Sequence, residues 1–263
     1  MDVRDLVKQH YGAGNLSDAI LQALAEAGTD VDHLTATDLF PLDQLHAGGM
    51  PSTRHALERL SVWPGMRLLD VGCGIGGPSR LAATYNAQVT GVDLTPEFID
   101  AASALTERVG LAHRATFITT PGGSLPFEDG SFDAALMVHV GMNIPDKEAV
   151  FSEVHRVLAP SGRFALYEQM RTGDGDLPYP LPWAEDERYS FVETVDEYSA
   201  HLEGAGFTVE VVEDRTESTL GPPPTGAVSP LLVFGPVFAQ RIGNNVQATR
   251  AGLLGAVLTI ARA

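Results

Sequence analysis

The sequence predicts an α/β protein: a Rossmann-like, mostly parallel sheet of seven strands with helices on both faces. Two observations lead to this fold class. Apolar runs typical of strands alternate with helical patterns through the middle of the chain. In addition, the run Arg67–Val71 passes directly into a loop that holds Gly72, Gly74, Gly76 and Gly77. A strand that ends in a glycine-rich loop ahead of a helix is typical of a nucleotide-binding βαβ unit.

The 62 residues before the first strand are predicted to form a helical cap over the active site. Nucleotide folds usually open at their own amino terminus, so a leading segment of this length is an addition. Within it we expect a short helix in residues 1–9 and a clearer one at 17–27, ended by Gly28. Helical turns at 34–45 are expected to be interrupted at Pro41, and a further helix to run to Leu60.

Residues 63–263 are predicted to form the main domain, in one compact unit with the cap. Strands are expected at residues 67–71, 88–93, 115–119, 132–138, 163–168, 207–212 and 253–260. Between them, Thr95, Asp146 and Thr194 each precede a helical pattern and are predicted to cap it. Another helix is expected at 233–246. Residues 170–192 break the alternation and are interpreted as a cap insertion after the fifth strand, because Trp183 and its apolar neighbours need burial.

Composition limits the partners and the compartment. Lys+Arg 17 against Asp+Glu 34 gives a net charge of −17, which argues against nucleic acid and fits a neutral or cationic small molecule. Solubility alone explains the charge equally well. The single cysteine, Cys73, excludes an intramolecular disulfide and a cysteine zinc site, and we expect no metal. No signal peptide or membrane span is evident, so the expected location is the cytoplasm.

The glycine loop predicts a ligand that carries a ribose. Backbone N–H groups of such a loop contact the ligand, and an acid about 20 residues further on, here Asp93, holds the ribose diol. Gly72, Gly74 and Gly77 also satisfy the dinucleotide fingerprint. Against a dinucleotide, Asp70 lies directly before the loop, where its charge would repel a pyrophosphate.

Four motifs taken together resemble the class I S-adenosylmethionine-dependent methyltransferases over residues 50–215: LLDVGCGIGG, GVDLTPEFI, LPFEDGSFDAAL and RVLAPSGRFAL. The resemblance implies that the cofactor's methionine part lies on the loop, with Asp70 near its amino group, and that Asp93 accepts the ribose hydroxyls while Leu94 packs against adenine. The cofactor-binding residues it implies are Asp70, Gly72, Cys73, Gly74, Gly76, Asp93, Leu94, Ser124 and His139. If the two acids do not bind the cofactor, Asp70 caps a helix at the end of the strand and Asp93 stabilises a turn.

One departure from the family pattern concerns adenine. The family often has an acid after the third strand, whereas residues 119–124 here contain Pro121 at the expected position. Adenine recognition is therefore expected to rest on the backbone or on Ser124.

The acceptor side resembles bacterial small-molecule methyltransferases of the sarcosine/dimethylglycine N-methyltransferase type, in segments around Tyr11, His46 and His139. His139 and Asn143 follow the fourth strand, at the edge where an open parallel sheet binds its ligand. The candidate catalytic residues are His139, His46, Asn143 and Tyr11. Alternatively, His139 and His46 only form hydrogen bonds that stabilise the local backbone. Tyr11 and Trp183 would likewise be core residues and would not contact the substrate.

The predicted function is methyl transfer from S-adenosylmethionine to an N, O or C nucleophile of a small molecule, with amines slightly favoured, by in-line displacement. Two alternatives stay open at this point. One is a cofactor-binding protein of the same fold that does not methylate, for instance one that guides a cyclisation, and the other is a nicotinamide oxidoreductase. The expected partner is a small-molecule acceptor, without nucleic acid or membrane, and a homodimer stays open.

Overall fold

The computed structural model describes residues 16–221 and 236–263. These residues form one seven-stranded sheet in the order β3-β2-β1-β4-β5-β7-β6. All neighbouring strands are parallel except β7, which runs antiparallel to both β5 and β6. The predicted fold class is confirmed. The strands are β1 (Arg67–Val71), β2 (Gln88–Asp93), β3 (Ala115–Thr119), β4 (Phe132–Val138), β5 (Leu158–Arg171), β6 (Thr208–Asp214) and β7 (Leu254–Arg262).

The described helices occupy nearly all of the predicted positions. They are α1 (Leu16–Glu26), α2 (Ala36–Asp43), α3 (Gly49–Arg59), α4 (Gly77–Thr84), α5 (Pro96–Arg108), α6 (Lys147–Val157), α7 (Val195–Gly204), α8 (Thr216–Thr219) and α9 (Pro236–Arg250). Short 3₁₀ turns occur at Gly141–Asn143 and Glu187–Tyr189. The predicted helix in residues 1–9 and the first residues of the helix at 233–246 lie outside the described residues.

Two of the three predicted helix caps form the expected side-chain hydrogen bond. Asp146 accepts a bond from the Ala149 N–H, and Thr194 forms the capping box with Glu197. Thr95 occupies the cap position of α5, but its side chain makes no capping bond. The expected interruption at Pro41 was wrong, because α2 continues through it. The flanking leucines of α2 are fully buried, and this packing offsets the one backbone bond that proline removes.

Each face of the sheet is covered by a helical layer. On one face, α6 and α7 pack against a cluster that includes Phe151 and Phe164, and on the other α3 and α4 pack against Leu136 and Ile260. Side chains alternate along β5, so that Phe164 and Leu166 face α6 while Tyr167 faces α3. At the carboxyl end of β5, successive buried polar residues therefore lie on opposite faces.

The amino-terminal helices pack onto the sheet domain through a third apolar cluster. Leu24 and Leu39 lie there with Leu105 of α5 and Phe238 of α9. Beside this cluster, the Arg80 guanidinium of α4 forms a fully buried ion pair with Asp43 at the end of α2, at 2.8 Å. Among residues 16–221 and 236–263, no helix has both the length and the apolarity to cross a bilayer.

The segment between β5 and α7 folds back onto the carboxyl-terminal helix. Leu177 and Leu181 form a small cluster with Ala248 of α9 and Leu254 of β7. Trp183 packs against this cluster, and its indole N–H donates to Ser190 Oγ at 2.8 Å. Burial of the aromatic residues here agrees with the expectation from the sequence.

Candidate cofactor and acceptor site

The glycine loop after β1 is held close to the loop after β4. Gly72, Gly74 and Gly76 all have positive φ, a conformation that favours glycine. A Cβ on Gly72 would come within 2.4 Å of the Val140 side chain, so no larger residue fits there. A Cβ on Gly74 would meet no atom within 4 Å. The Gly74 turn is therefore the open part of the loop, where a ligand has room to approach the backbone.

Cys73 contributes its backbone to the loop. Its N–H donates to the Val92 carbonyl at 3.0 Å, while its side chain is buried against the sheet. Burial raises the pKa of the thiol well above its usual range, and the charges of Asp70 and Asp93 raise it further. A neutral, buried thiol is a packing group, so any contact of Cys73 with a cofactor would involve its main chain.

Asp70 is a buried acid whose hydrogen-bond partner is Ser79. Its side chain is 1% exposed, and Ser79 Oγ donates to Oδ2 at 2.6 Å. Burial raises the pKa of Asp70 to about 7, against the Ser79 hydrogen bond; the charge of Asp93 adds to the rise, and the charge of Arg80 acts to lower the pKa. An ammonium group beside this carboxyl would favour its ionised form. Asp70 thus fits the role of a contact for the amino group of a methionine moiety.

Asp93 links β2 to the glycine loop. Its Oδ2 accepts the Gly74 N–H at 3.0 Å, and its Oδ1 accepts the Thr95 N–H at 2.8 Å. A carboxylate oxygen can accept more than one hydrogen bond, so the hydroxyls of a ribose would donate to these two oxygens. The next residue, Leu94, is 60% exposed, a large value for leucine and one that leaves an apolar surface for a planar base. Both observations fit the adenosine part of the cofactor.

Ser124 lies at the same edge of the sheet. The Thr120 N–H donates to the Asp93 carbonyl at 3.0 Å, and Thr120 Oγ1 donates to the Ser124 carbonyl at 2.9 Å. Ser124 is exposed and its own N–H donates to the Pro121 carbonyl. These bonds fix residues 119–124, the segment in which the family often has an acid, to the end of β2. The role of Ser124 in adenine recognition stays a prediction.

His46 and His139, distant in sequence, meet beside Tyr167 of β5. The two imidazole ring centres are 5.6 Å apart, and the Tyr167 ring centre is 5.2 Å from that of His139 and 5.9 Å from that of His46. The His139 N–H donates to the Tyr167 carbonyl at 2.8 Å, and His139 has a φ of 53°. The Tyr167 hydroxyl donates to the Ala47 carbonyl at 3.0 Å, which holds the His46 segment over the sheet.

Both histidines are neutral near pH 7. Burial lowers the pKa of His46 to about 4 and that of His139 well below its usual range, with the neighbouring His46 as a further cause for His139. Nε2 of His46 lies 2.8 Å from Thr53 Oγ1. Nε2 of His139 is buried and has no hydrogen-bond partner among the described residues. A neutral imidazole nitrogen without a partner can accept a proton from a substrate.

Of the other predicted catalytic residues, Asn143 does not join this cluster. Asn143 is exposed, and its Nδ2 donates to the Val140 carbonyl of its own turn at 3.3 Å. Tyr11 lies outside the described residues. Trp183 packs against the small apolar cluster under the insertion, which is the placement expected of a core residue.

Two functional candidates on β5 were missed by the sequence reasoning: Tyr167 and Glu168. Glu168 is fully buried, and its Oε1 accepts the N–H groups of Val140 and Gly141, both at 2.9 Å. Burial raises the pKa of Glu168 to about 8, although these two backbone bonds act against the rise. The carboxyl thus holds the turn that follows His139. Polar residues at the end of an otherwise apolar strand run were the available signal.

Comparison with known proteins agrees with this geometry. Residues 69–166 match the methyltransferase domain family. The chain is 38% identical over 116 residues to the sterol 24-C-methyltransferase ERG6B of Gibberella zeae, which covers 44% of this chain and 30% of the relative. It is 38% identical over 138 residues to squalene methyltransferase 1 of Botryococcus braunii, covering 48% and 36%. The chain thus matches about a third of the length of these curated relatives.

Solved structures share the fold over most of the chain at lower identity. A sarcosine dimethylglycine methyltransferase from Galdieria sulphuraria has a TM-score of 0.66 at 19% identity, covering 81% of this chain and 84% of that one. The [4+2]-cyclase SpnF has a TM-score of 0.69 at 23% identity, covering 100% and 97%. Geranyl diphosphate methyltransferase in complex with S-adenosylmethionine has a TM-score of 0.66 at 21% identity, covering 81% and 84%. Residues 69–166 are thus similar to the methyltransferase domain family, and the chain shares its fold with these solved structures.

Proposed function

We propose that the protein transfers the methyl group of S-adenosylmethionine to a small molecule held beside His46, His139 and Tyr167. The observation that supports this most directly is the contact between Gly72 and Val140. Val140 follows His139, so the proposed cofactor loop and the histidine cluster lie next to each other at the carboxyl ends of β1 and β4, which are neighbouring strands. A methyl donor on the loop and an acceptor beside His139 would therefore be adjacent.

We further propose that the methylated atom is carbon. The curated relatives include sterol and squalene methyltransferases, two of which carry C-methyltransferase in their names, and this outweighs the slight preference for an amine from the sequence. Neutral imidazoles near the site suit such a reaction. If a carbon–carbon double bond attacked the methyl group, a new C–C bond would form, the S–CH3 bond would break with its electron pair left on the sulfur of S-adenosylhomocysteine, and a neighbouring carbon would then lose a proton. Nε2 of His139 would accept that proton.

The chain's own contribution would be mainly orientation. S-adenosylmethionine, when bound, supplies the activated methyl group and a good leaving group. Asp70 and Asp93 would hold the two ends of the cofactor, while Glu168 would keep the turn after His139 in place through two backbone N–H groups. Proximity and alignment of this kind account for much of the rate enhancement in a group transfer.

The test is a screen of alkenes, enols, amines, phenols and carboxylates with detection of S-adenosylhomocysteine. We expect turnover with a carbon nucleophile and a methylated product by mass spectrometry. Turnover with amines alone would overturn the carbon assignment. The fold shared with the [4+2]-cyclase SpnF supports one alternative, a cofactor-binding protein that does not methylate. It would be favoured by a product that forms without any S-adenosylhomocysteine.

Cofactor affinity is expected to increase as the pH rises from 5.5 to 7. Because the pKa of Asp70 is about 7, most Asp70 side chains are protonated below pH 7. An ammonium ligand, however, pairs with the ionised carboxylate. Binding therefore strengthens by up to about tenfold per pH unit below pH 7 and levels off above it. Calorimetry across this range measures the slope. Asp70→Asn should bind more weakly with no such slope, and a wild-type affinity independent of pH would contradict the role of Asp70.

Replacing His139 with asparagine is expected to lower kcat by about a hundredfold or more, a much larger effect than on cofactor affinity, to which His139 is expected to contribute one contact among several. Asparagine tolerates the left-handed backbone of this position, so the loss reports on the imidazole and not on strain. The exposed His33→Asn serves as the matched control. If His139→Asn retains turnover, the protein acts by orientation alone and uses no base at this position.

A further inference from the structure

A row of three residues continues from the histidine cluster toward the far edge of the sheet. Gln169 of β5 lies opposite Ala256 of β7 in the antiparallel register. Arg215, directly after β6, donates its backbone N–H to the Ala256 carbonyl at 2.8 Å. Residues opposite one another on neighbouring strands project from the same face of a sheet. The small Ala256 side chain therefore lies between the longer side chains of Gln169 and Arg215 in this row.

This row lies on the same face as the proposed acceptor site. Gln169 follows Tyr167 by two residues and so projects to the same side of β5. Burial raises the pKa of Tyr167 to about 12, while the Ser52 hydrogen bond and, to a smaller extent, the charge of Arg215 act against this rise. Since Tyr167 contacts His139, the row extends the His46, His139 and Tyr167 cluster away from the glycine loop.

The polar atoms of the row lack partners. Gln169 is 1% exposed, and neither its amide nitrogen nor its amide oxygen has a hydrogen-bond partner in the described part of the chain. Nε of Arg215 is also buried and has no hydrogen-bond partner among the described residues. Buried polar groups are nearly always paired in native proteins, because an unpaired one loses its bonds to water without replacement. Three unpaired buried atoms on two side chains of one row indicate that another molecule supplies their partners.

The donors and acceptors of the row define the group that fits. The Gln169 amide N–H and the Arg215 N–H both donate, so a carbonyl or carboxylate oxygen between them would accept two bonds, the stronger from the charged guanidinium. An ammonium group would instead face a positive charge. Glu213, two residues before Arg215 and on the same face of β6, pairs with His55 at 2.6 Å and with Arg59 at 2.8 Å. The His55 hydrogen bond lowers the pKa of Glu213 most, and the charges of Arg59, His55 and Arg215 lower it further. A pure hydrocarbon would leave all these atoms unpaired.

We propose that Gln169 and Arg215 form the recognition site for a carboxylate or carbonyl oxygen of the acceptor. The methylated molecule is then an oxygenated one, with its reacting atom beside His139 and its polar end over Ala256. This inference rests on the proposed function, because it takes the occupant of the site to be the methyl acceptor. It adds a requirement that methyl transfer itself does not impose, namely an anionic or carbonyl oxygen at a distance from the reacting carbon.

Binding of three matched eight-carbon probes tests the inference without turnover. Octanoate, octan-1-ol and octylamine are titrated into the wild-type protein saturated with S-adenosylhomocysteine, with calorimetric readout. We expect octanoate to bind at least about tenfold more tightly than octylamine. Gln169→Met and Arg215→Met should each weaken octanoate binding about tenfold or more and leave octylamine unaffected. Arg163→Met, a surface arginine paired with Glu210 at the opposite end of β5, is the control and should behave as wild type.

A stability measurement distinguishes recognition from a structural role. If the amide of Gln169 waits for a ligand, its replacement by the apolar methionine removes an unpaired buried group and should raise the Tm of the ligand-free protein by about 2–4 °C. If the amide instead bonds within the protein or to buried water, the same variant should lower the Tm. That fall, or equal affinities for all three probes, would overturn the inference.

The two proposals fail in different ways. Wild-type protein that binds S-adenosylmethionine but shows no preference for octanoate contradicts the recognition site alone. Protein that binds octanoate through Gln169 but forms no S-adenosylhomocysteine with any acceptor contradicts methyl transfer, and with it the assignment of the occupant as a methyl acceptor.

Discussion

Replacing Asp93 with alanine is expected to weaken S-adenosylmethionine binding by about a hundredfold or more. The substitution removes the charged acceptors proposed for two ribose hydroxyls, and hydrogen bonds to a charged group contribute about 1.5–3 kcal/mol each. It also removes the Oδ2 that accepts the Gly74 N–H, so the open turn of the glycine loop loses its tie to β2. Two lost bonds of this size correspond to at least a hundredfold in the dissociation constant. Calorimetry with the purified variant measures the effect directly.

Two further variants make this result specific. Asp93→Asn keeps the size and one acceptor oxygen, so it should retain folding and bind with intermediate affinity. Asp133→Ala removes an acid of β4 that pairs with Arg67 at the opposite edge of the sheet, and its cofactor affinity should equal that of wild type. Unchanged affinity in Asp93→Ala would refute the placement of the ribose at the end of β2.

Asp43→Ala is expected to lower the free energy of unfolding by about 3–5 kcal/mol, the usual effect of removing one partner of a buried ion pair. The Arg80 guanidinium is fully buried and would lose its only carboxylate partner among the described ion pairs. Its remaining bonds, to the carbonyls of Ile75 and Ala102 and to Thr106 Oγ1, are to neutral groups and do not compensate a buried charge. Denaturant titration and the thermal midpoint measure the loss.

Two comparisons separate the ion pair from the general effect of an alanine substitution. Asp32→Ala removes an exposed acid that lies 3.4 Å from Arg108, and we expect a change within about 0.5 kcal/mol. The double variant Asp43→Leu with Arg80→Met should recover most of the stability, because apolar residues of similar volume can replace a buried pair at little cost. A destabilisation in Asp43→Ala no larger than that of Asp32→Ala would contradict this account.

The same ion pair connects the amino-terminal helices to the cofactor loop. Arg80 holds Asp43 of α2 on one side and the carbonyl of Ile75, within the glycine loop, on the other. We therefore propose that the predicted cap of residues 1–62 supports the loop as well as covering the site. The sequence showed Arg80 only as a charge on a helix after the loop. Nothing in its spacing indicated that it is buried, because its partner lies on another helix.

Local features of this protein could be read directly from the sequence. The glycine loop, the ends of β1 to β4, the Asp146 cap and the Thr194 capping box each depend on a few consecutive residues, whose backbone preferences and side-chain periods are local properties. Pro41 was misjudged for the complementary reason. The packing of α2 against α1 and α5 decides whether the helix continues, and this contact is formed by distant parts of the chain.

The sequence by itself determined the fold class, and it predicted the cofactor type and the segments of the candidate site, because glycine, proline and the alternation of apolar residues act over short distances. Only the tertiary structure decided which residues meet there: His46 with His139 and Tyr167, Asp43 with Arg80, and Gln169 with Arg215 across Ala256. It also decided their chemical state. Burial makes both histidines neutral and raises the pKa of Asp70 and Glu168, and burial depends on chain segments that are remote in sequence.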